Sequence, residues 1–319
     1  MSSPVECVPN FSEGRDPSKV DKIAKRIGSV PGVHVLDVHM DPDHHRSVIT
    51  FAGSAAGVEE AAVLAAGEAM SQIDLTRHQG GHPRIGATDV IPFVPLAGVT
   101  ISDCAAIAHR AGERIWDQHQ IPVYFYEAAA RREDRRNLAN LRRGGFEKLR
   151  ETVATDPLRC PDVGGPGVHP TAGATAVGAR GVLIAFNVNL TTGDLEIARG
   201  IARAVRTSGG GLPAVKALGV LLRSRTSEAK PDQAQVSMNL TDWKQTSVKQ
   251  AFDAVMAEAL RLGAAVHSSE IVGLIPAKAM EGASVDALCL AGFGPEKILE
   301  NRLADAFGTN WQGGSQLFF

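Results

Sequence analysis

The chain has 319 residues, 44% hydrophobic and 21% charged, with a formal net charge of −2. That length suffices for one large or two compact domains, and the near-neutral balance gives no electrostatic case for a nucleic acid or an anionic membrane surface as partner. No apolar run approaches the ~18 residues of a transmembrane helix, and the opening MSSPVECVPNFSEGR lacks a basic-then-apolar signal pattern, so a cytoplasmic protein is expected.

In chain order, VECVP (5–9) is rich in β-formers and reads as a first strand, followed by a turn in NFSEGRD. Asp16-Pro17-Ser18 opens a helix that runs through Ile27, with Val20, Ile23, Ala24 and Ile27 at three-to-four spacing and Pro31-Gly32 beyond it. Strands are predicted over 33–38 and 47–52, and an Ala-rich helix over 57–72. A helix over 101–118 and a buried strand over 122–127 follow. Two short polar helices are predicted over 128–141 and 145–153, with RREDRR on a solvated face. The second half begins near residue 181, with strands over 181–190, 215–222, 235–240 and 269–275. Its helices are predicted over 194–206, 246–262 and 276–288, the last opened by Pro276 near its first turn. Alternation of strands and helices in both halves indicates an α/β protein, α+β layers with helices covering a sheet, divided into subdomains over 1–180 and 181–319.

The chemistry concentrates in the stretch HQGGHPRIGATDVIPFVP, residues 78–95. Pro83 biases the backbone of His82 toward an extended conformation, and Gly80 and Gly81 allow close approach of the backbone to a ligand. An imidazole titrates near neutrality, so His82 suits a general acid and base; a structural histidine is the competing reading. Arg84 has the planar fork to hold a carboxylate, or makes an ordinary ion pair. Asp89 either orients His82 or braces the loop, and bracing is the safer reading.

A second cluster runs from His39 to Arg46 and holds three histidines and two aspartates. Imidazole and carboxylate invite a metal, but the spacing matches no established site, and a turn whose Arg46 or Asp41 touches substrate fits better. Asn187 and Asn189 alternate in a strand and so share one face, with Val188 toward the core. The Gly- and Pro-rich join from Asp156 to Ala179 is either a linker or a ligand-binding segment. It lacks the Gly-Lys-Ser/Thr ending of a Walker loop, and no GxGxxG follows a strand. The four cysteines, Cys7, Cys104, Cys160 and Cys289, form no CxxC pair, which argues against a zinc knuckle or disulfide framework.

Taken together, VECVPNFSEG (5–14), DPDHHRSV (41–48), HPRIGATDVIPF (82–93), PVYFYEAA (122–129), HPTAGATAVGAR (169–180), LIAFNVNL (183–190), QVSMNLTD (235–242) and EIVGLIP (270–276) resemble the glutamate formimidoyltransferase family, in the form without a cyclodeaminase domain. The resemblance covers about the first 280 residues in order. It implies two sheet-plus-helix subdomains with a folate cleft or tunnel between them. It also implies transfer of the formimino group of N-formimino-L-glutamate to N5 of tetrahydrofolate in histidine degradation; related members act on 5-formyltetrahydrofolate.

The family's catalytic histidine falls on His82. Its folate segment falls on Gly164, Gly165, Pro166, Gly167, Val168, His169, Pro170, Thr171, Ala172 and Gly173. Arg84 or Arg46 would engage a glutamate carboxylate, and Asn187 and Asn189 the pterin or formimino group. Tetrahydrofolate would be a co-substrate, with no metal required. The helix-free sheet edges and the family suggest a homodimer, and a separate cyclodeaminase is a possible recipient of the product. Two positions depart from the family pattern: Gly81 and His39 stand where it usually has acidic residues. The competing readings are a folate-binding paralogue with little transferase activity and, more distantly, a metal-dependent amidohydrolase.

Overall fold

A computed structural model of the chain describes residues 4–80, 83–222 and 232–308. It divides into two compact units between Gly181 and Val182.

The first unit opens with β1 (Val5–Cys7) and β2 (Asn10–Phe11), so the predicted turn begins with a short strand. Helix α1 (Pro17–Gly28) starts where the Asp16 side chain accepts the amide of Ser18, and it buries Val20, Ile23 and Ile27 on one face. β3 (His34–Asp41) and β4 (Arg46–Gly53) form a hairpin. Next come α2 (Ala55–Gln72), β5 (Thr88–Pro95), α3 (Ile101–His119) and β6 (Val123–Glu127). α4 (Leu138–Leu141), α5 (Gly145–Thr152) and β7 (Thr175–Ala179) complete the unit.

Seven strands form one sheet in the order β1-β4-β2-β5-β7-β6, with β3 on the outside of β4. β7 pairs in parallel with β5 and with β6, while the other pairings are antiparallel. The apolar faces of α1, α2 and α3 close over Phe11, Ile49, Phe51, Ile91 and Phe93. Across the sheet, Leu149 and Val153 pack with Val90, Tyr124 and Tyr126.

The second unit contains β8 (Ile184–Leu190), α6 (Leu195–Val205), β9 (Val215–Leu222), β10 (Gln233–Leu240), α7 (Val248–Arg261), β11 (Val266–Val272) and α8 (Leu299–Phe307). Its four strands pair antiparallel in the order β11-β8-β10-β9. α6 and α7 cover the face that carries Phe186, Val188, Val236 and Met238. No described helix is long and apolar enough to cross a membrane.

Four local readings are corrected. The predicted helix over 276–288 is only a 3₁₀ turn, Ala277–Met280; Gly282, at φ +74°, stops it from propagating. The predicted helix over 128–141 is a 3₁₀ turn at Glu133–Arg135 and one α-turn in α4, restarted where the Asn137 side chain caps the amide of Ala139. RREDRR is not a uniformly solvated face: Arg135 is buried, 1% exposed, paired with Asp162 at 2.6 Å and set over the Tyr124 ring. The join is no linker either, since its last residues are β7, an inner strand of the first sheet.

Candidate active site

His82 and Gly81 lie outside the described residues. The structure around them in sequence is dense with polar contacts. Asp89 is fully buried and sits where β5 slips register against β2. Asn10 faces Val90 but Phe11 faces Thr88, which leaves Asp89 as the extra residue of a bulge. A bulge re-aims a side chain. Oδ1 of Asp89 accepts the amide of Ile85 at 2.9 Å, so the residue braces the segment that follows His-Pro-Arg. Its Oδ2 accepts from Arg46 Nη1 at 3.0 Å and also from Arg142 Nη2. Arg46 adds a bond from Nε to Asn10 Oδ1 at 2.8 Å. Burial and repulsion by Arg142 pull the Arg46 guanidinium down to about 10, against the attraction of Asp89.

Arg84 is held differently. Its two Nη atoms grip both carboxylate oxygens of Glu147, at 3.2 and 2.8 Å, and Nη2 also donates to the carbonyl of His78 at 3.0 Å. This fork-to-fork pair ties the loop to the first turn of α5. The Glu147 carboxyl is lowered chiefly by that hydrogen bond.

On the other side of the loop, the rings of His45 and His78 stack at 4.2 Å and 8°. His78 Nε2 lies 3.0 Å from the His45 carbonyl, so that nitrogen carries the proton. Burial depresses the His78 ring to about 4, which leaves it neutral near pH 7. His45 Nδ1 faces the Gln79 carbonyl at 3.0 Å and its Nε2 faces Glu13 at 3.1 Å. Both partners are acceptors, and the ring is pinned between them. Burial alone would raise the Glu13 carboxyl, but the hydrogen bonds from His45 and the amides of Arg15 and Asp16 outweigh it and hold it far below the usual carboxylate range. A Cβ on Gly80 would lie 2.6 Å from the His44 carbonyl. The glycine is therefore needed for close approach of protein backbone.

The cluster from His39 to Arg46 is the end of β3, a turn and the start of β4, with Asp41 accepting the amides of Asp43 and His44. Among the described residues, no three His, Cys, Asp or Glu side chains gather closely enough to hold a metal ion.

The segment Gly164–Gly173 is stitched to the same loop. His169 and Gly173 exchange backbone hydrogen bonds, and His169 Nδ1 accepts the amides of Thr171 and Ala172 at 3.4 and 3.0 Å. This fixes the ring proton on Nε2, and burial lowers the ring's affinity for a second proton. Ala87 N donates to the Ala172 carbonyl and Ala174 N to the Ile85 carbonyl. Gly173, at φ +71°, lies against the Ile85 carbonyl with no room for a Cβ. The two sequence segments that carried the strongest expectations are thus hydrogen-bonded neighbours.

In the second unit Asn187 and Asn189 do share the face away from α6 and α7, with Val188 in the core. Asn187 Nδ2 donates to Glu270 at 2.9 Å. Asn189 bonds Ser268 at 3.1 Å and Gln235 at 3.0 Å. Glu13, Arg142, Glu147, Gln235 and Glu270 belong to these networks and were not singled out from the sequence. Each is a common residue in an ordinary element, and only the fold reveals its partners.

These segments have close counterparts in known proteins. The formiminotransferase domain, N-terminal subdomain, matches residues 4–180, and the formiminotransferase domain matches 185–285. A glutamate formimidoyltransferase of Streptococcus pyogenes serotype M1 is 43% identical over 304 residues, 95% of this chain and 99% of that protein. One of Thermoplasma acidophilum is 44% identical over 95% of this chain and 98% of its own length. The formimidoyltransferase-cyclodeaminase of Sus scrofa is 41% identical over 88% of this chain, which corresponds to 51% of that protein. Likeness that spans both units leaves one conclusion: the chain belongs to the formiminotransferase family.

Proposed function

We propose that this chain is a glutamate formimidoyltransferase, moving the formimino group of N-formimino-L-glutamate to N5 of tetrahydrofolate. The observation that carries this reading is the near full-length similarity to two stand-alone proteins of that name, at 43% and 44% identity. Tetrahydrofolate is a co-substrate and the chemistry needs no metal. N5 attacks the amidine carbon and a tetrahedral intermediate forms. The bond from that carbon to the glutamate nitrogen then breaks. His82 takes the proton from N5 and returns it to the departing nitrogen, so one imidazole serves both steps. Holding both substrates in one site converts a bimolecular encounter into an oriented one.

Supporting this assignment are the braces next to His82 in sequence: Asp89 on the Ile85 amide, Arg84 on Glu147, and the Ala172–Gly173 backbone on Ile85–Ala87. Gly164–Gly173 is the folate segment of this reading, and Asn187 and Asn189 contribute polar contacts to the pterin or formimino group. The protein works in the cytoplasm as a homodimer, in histidine degradation, and a separate cyclodeaminase receives its product. The test is to supply formiminoglutamate and tetrahydrofolate to the purified protein, together and singly. 5-Formiminotetrahydrofolate is expected only with both. Absence of turnover with both present favours a folate-binding protein instead.

A further inference from the structure

The sheet of the second unit carries a polar patch on the face turned away from α6 and α7. Asn187 on β8 stands directly opposite Glu270 on β11, and Asn189 stands opposite Gln235 on β10 and Ser268 on β11, so these side chains meet across the strands. Gln235 Nε2 lies 3.3 Å from Glu270 Oε1 and 3.0 Å from Asn189 Oδ1. A carboxylate oxygen only accepts, so the end of the Gln235 amide that faces it is the nitrogen and the other end is the oxygen. Gln235 is 1% exposed, and that Oε1 is buried with no hydrogen-bond partner. A buried acceptor left unmet calls for an explanation. Glu270 adds a second open acceptor. Its Oε1 takes the amides of Asn187 and Gln235, which are the side chain's only partners among the described residues, and Oε2 takes none.

We infer that Glu270 and Gln235 form a seat for a planar edge of N–H donors on an amidine- or guanidine-type carbon. The two side chains touch, and each offers an oxygen that lacks a donor, while Asn187 and Asn189 hold them in place. A ligand edge with two N–H groups supplies what both oxygens lack, and its bond to the carboxylate is charge-assisted. This deepens the transferase reading and rests on it for the identity of the ligand. Two sources offer that chemistry. The pyrimidinone edge of the pterin presents N3–H and the 2-amino group, and the formimino group of formiminoglutamate presents the N–H groups of an open-chain amidine.

The test is Glu270→Gln, which keeps the size but loses the charge, with Gln235→Leu as a second variant should the first fail to fold. KM is measured separately for each substrate. Loss of a charge-assisted hydrogen bond in Glu270→Gln predicts a rise of about ten- to a hundredfold in one KM, and loss of a neutral one in Gln235→Leu a rise of about two- to tenfold in the same KM. A rise confined to tetrahydrofolate places the pterin edge in the seat; a rise confined to formiminoglutamate places the formimino group there. A rise in both KM values, or in neither, would show a structural carboxylate and overturn the proposal. A readout independent of turnover separates this from failure of the transferase reading. Folic acid or formiminoglutamate, each added alone, is expected to raise the melting temperature of the parent, and the one that does so should fail to raise that of Glu270→Gln. If the parent shows no turnover but keeps that difference, the seat stands and the transferase reading falls. If it shows neither, the seat falls as well.

Discussion

Two arginine clusters flank the same loop and differ in one respect. At Arg84 one guanidinium meets one carboxylate, in bidentate geometry, with Glu147 largely in solvent. At Asp89 two guanidiniums converge on one carboxylate that is wholly buried. A balanced pair at the surface serves as a clamp of modest strength. A buried cluster depends on its partners, because removing one strands a charge away from water. Sequence reading could not separate the two, because HPR names Arg84 while Arg142 has no motif.

The contrast orders the expected effects of mutation. Asp89→Asn should be the most damaging to stability. It takes from the buried Arg46 and Arg142 the carboxylate they share and sets an amide N–H₂ against their donors, while the amide oxygen can still accept from Ile85, so a loss of about 3–5 kcal/mol is expected, read as the shift in urea midpoint. A loss below about 1 kcal/mol would mean that the cluster is far more solvated than its burial implies. Acid should act next. His78 has its pKa depressed in the folded state, from 6.5 to about 4. The unfolded chain therefore binds the proton first as pH falls. Stability is at its full value above about 6.5, declines as pH drops toward about 4, and levels off below. The decline amounts to roughly 3 kcal/mol at most. Glu13, whose pKa is also depressed, adds a loss at lower pH, since its contribution is present above the ordinary carboxylate pKa and disappears as the native carboxylate protonates. In His78→Gln the component between about 6.5 and about 4 should vanish; an unchanged pH–stability curve would remove His78 as its source. Arg84→Gln is the mildest, at about 1 kcal/mol, with both KM values near those of the parent. A loss as large as that of Asp89→Asn would abolish the distinction between the two clusters.

Much of this arrangement was legible beforehand. Apolar periodicity located α1, α3, α6 and α7, and alternation placed Asn187 and Asn189 on one face, because those signals depend on local spacing. The reading of Asp89 as a brace also agrees with its bond to Ile85. What escaped were features set by distant partners. Arg135 looks like any residue of a charged run until Asp162 and Tyr124 enclose it. β7 looks like the end of a glycine-rich linker until β5 and β6 pair on both sides of it. Residues 276–288 have helical composition, yet they lack a continuous run past Gly282. The bulge at Asp89 is invisible without its partner strand.

The central claim is that His82 moves the proton during formimino transfer. It is tested most directly by kcat/KM for formiminoglutamate against pH, in the parent and in His82→Ala. The parent should show an acidic limb governed by one group, with an apparent pKa of about 6.5 for an unperturbed imidazole. His82→Ala should lose that limb together with about 10²–10⁴ of the rate. The same limb at the parent rate in both proteins would contradict the assignment.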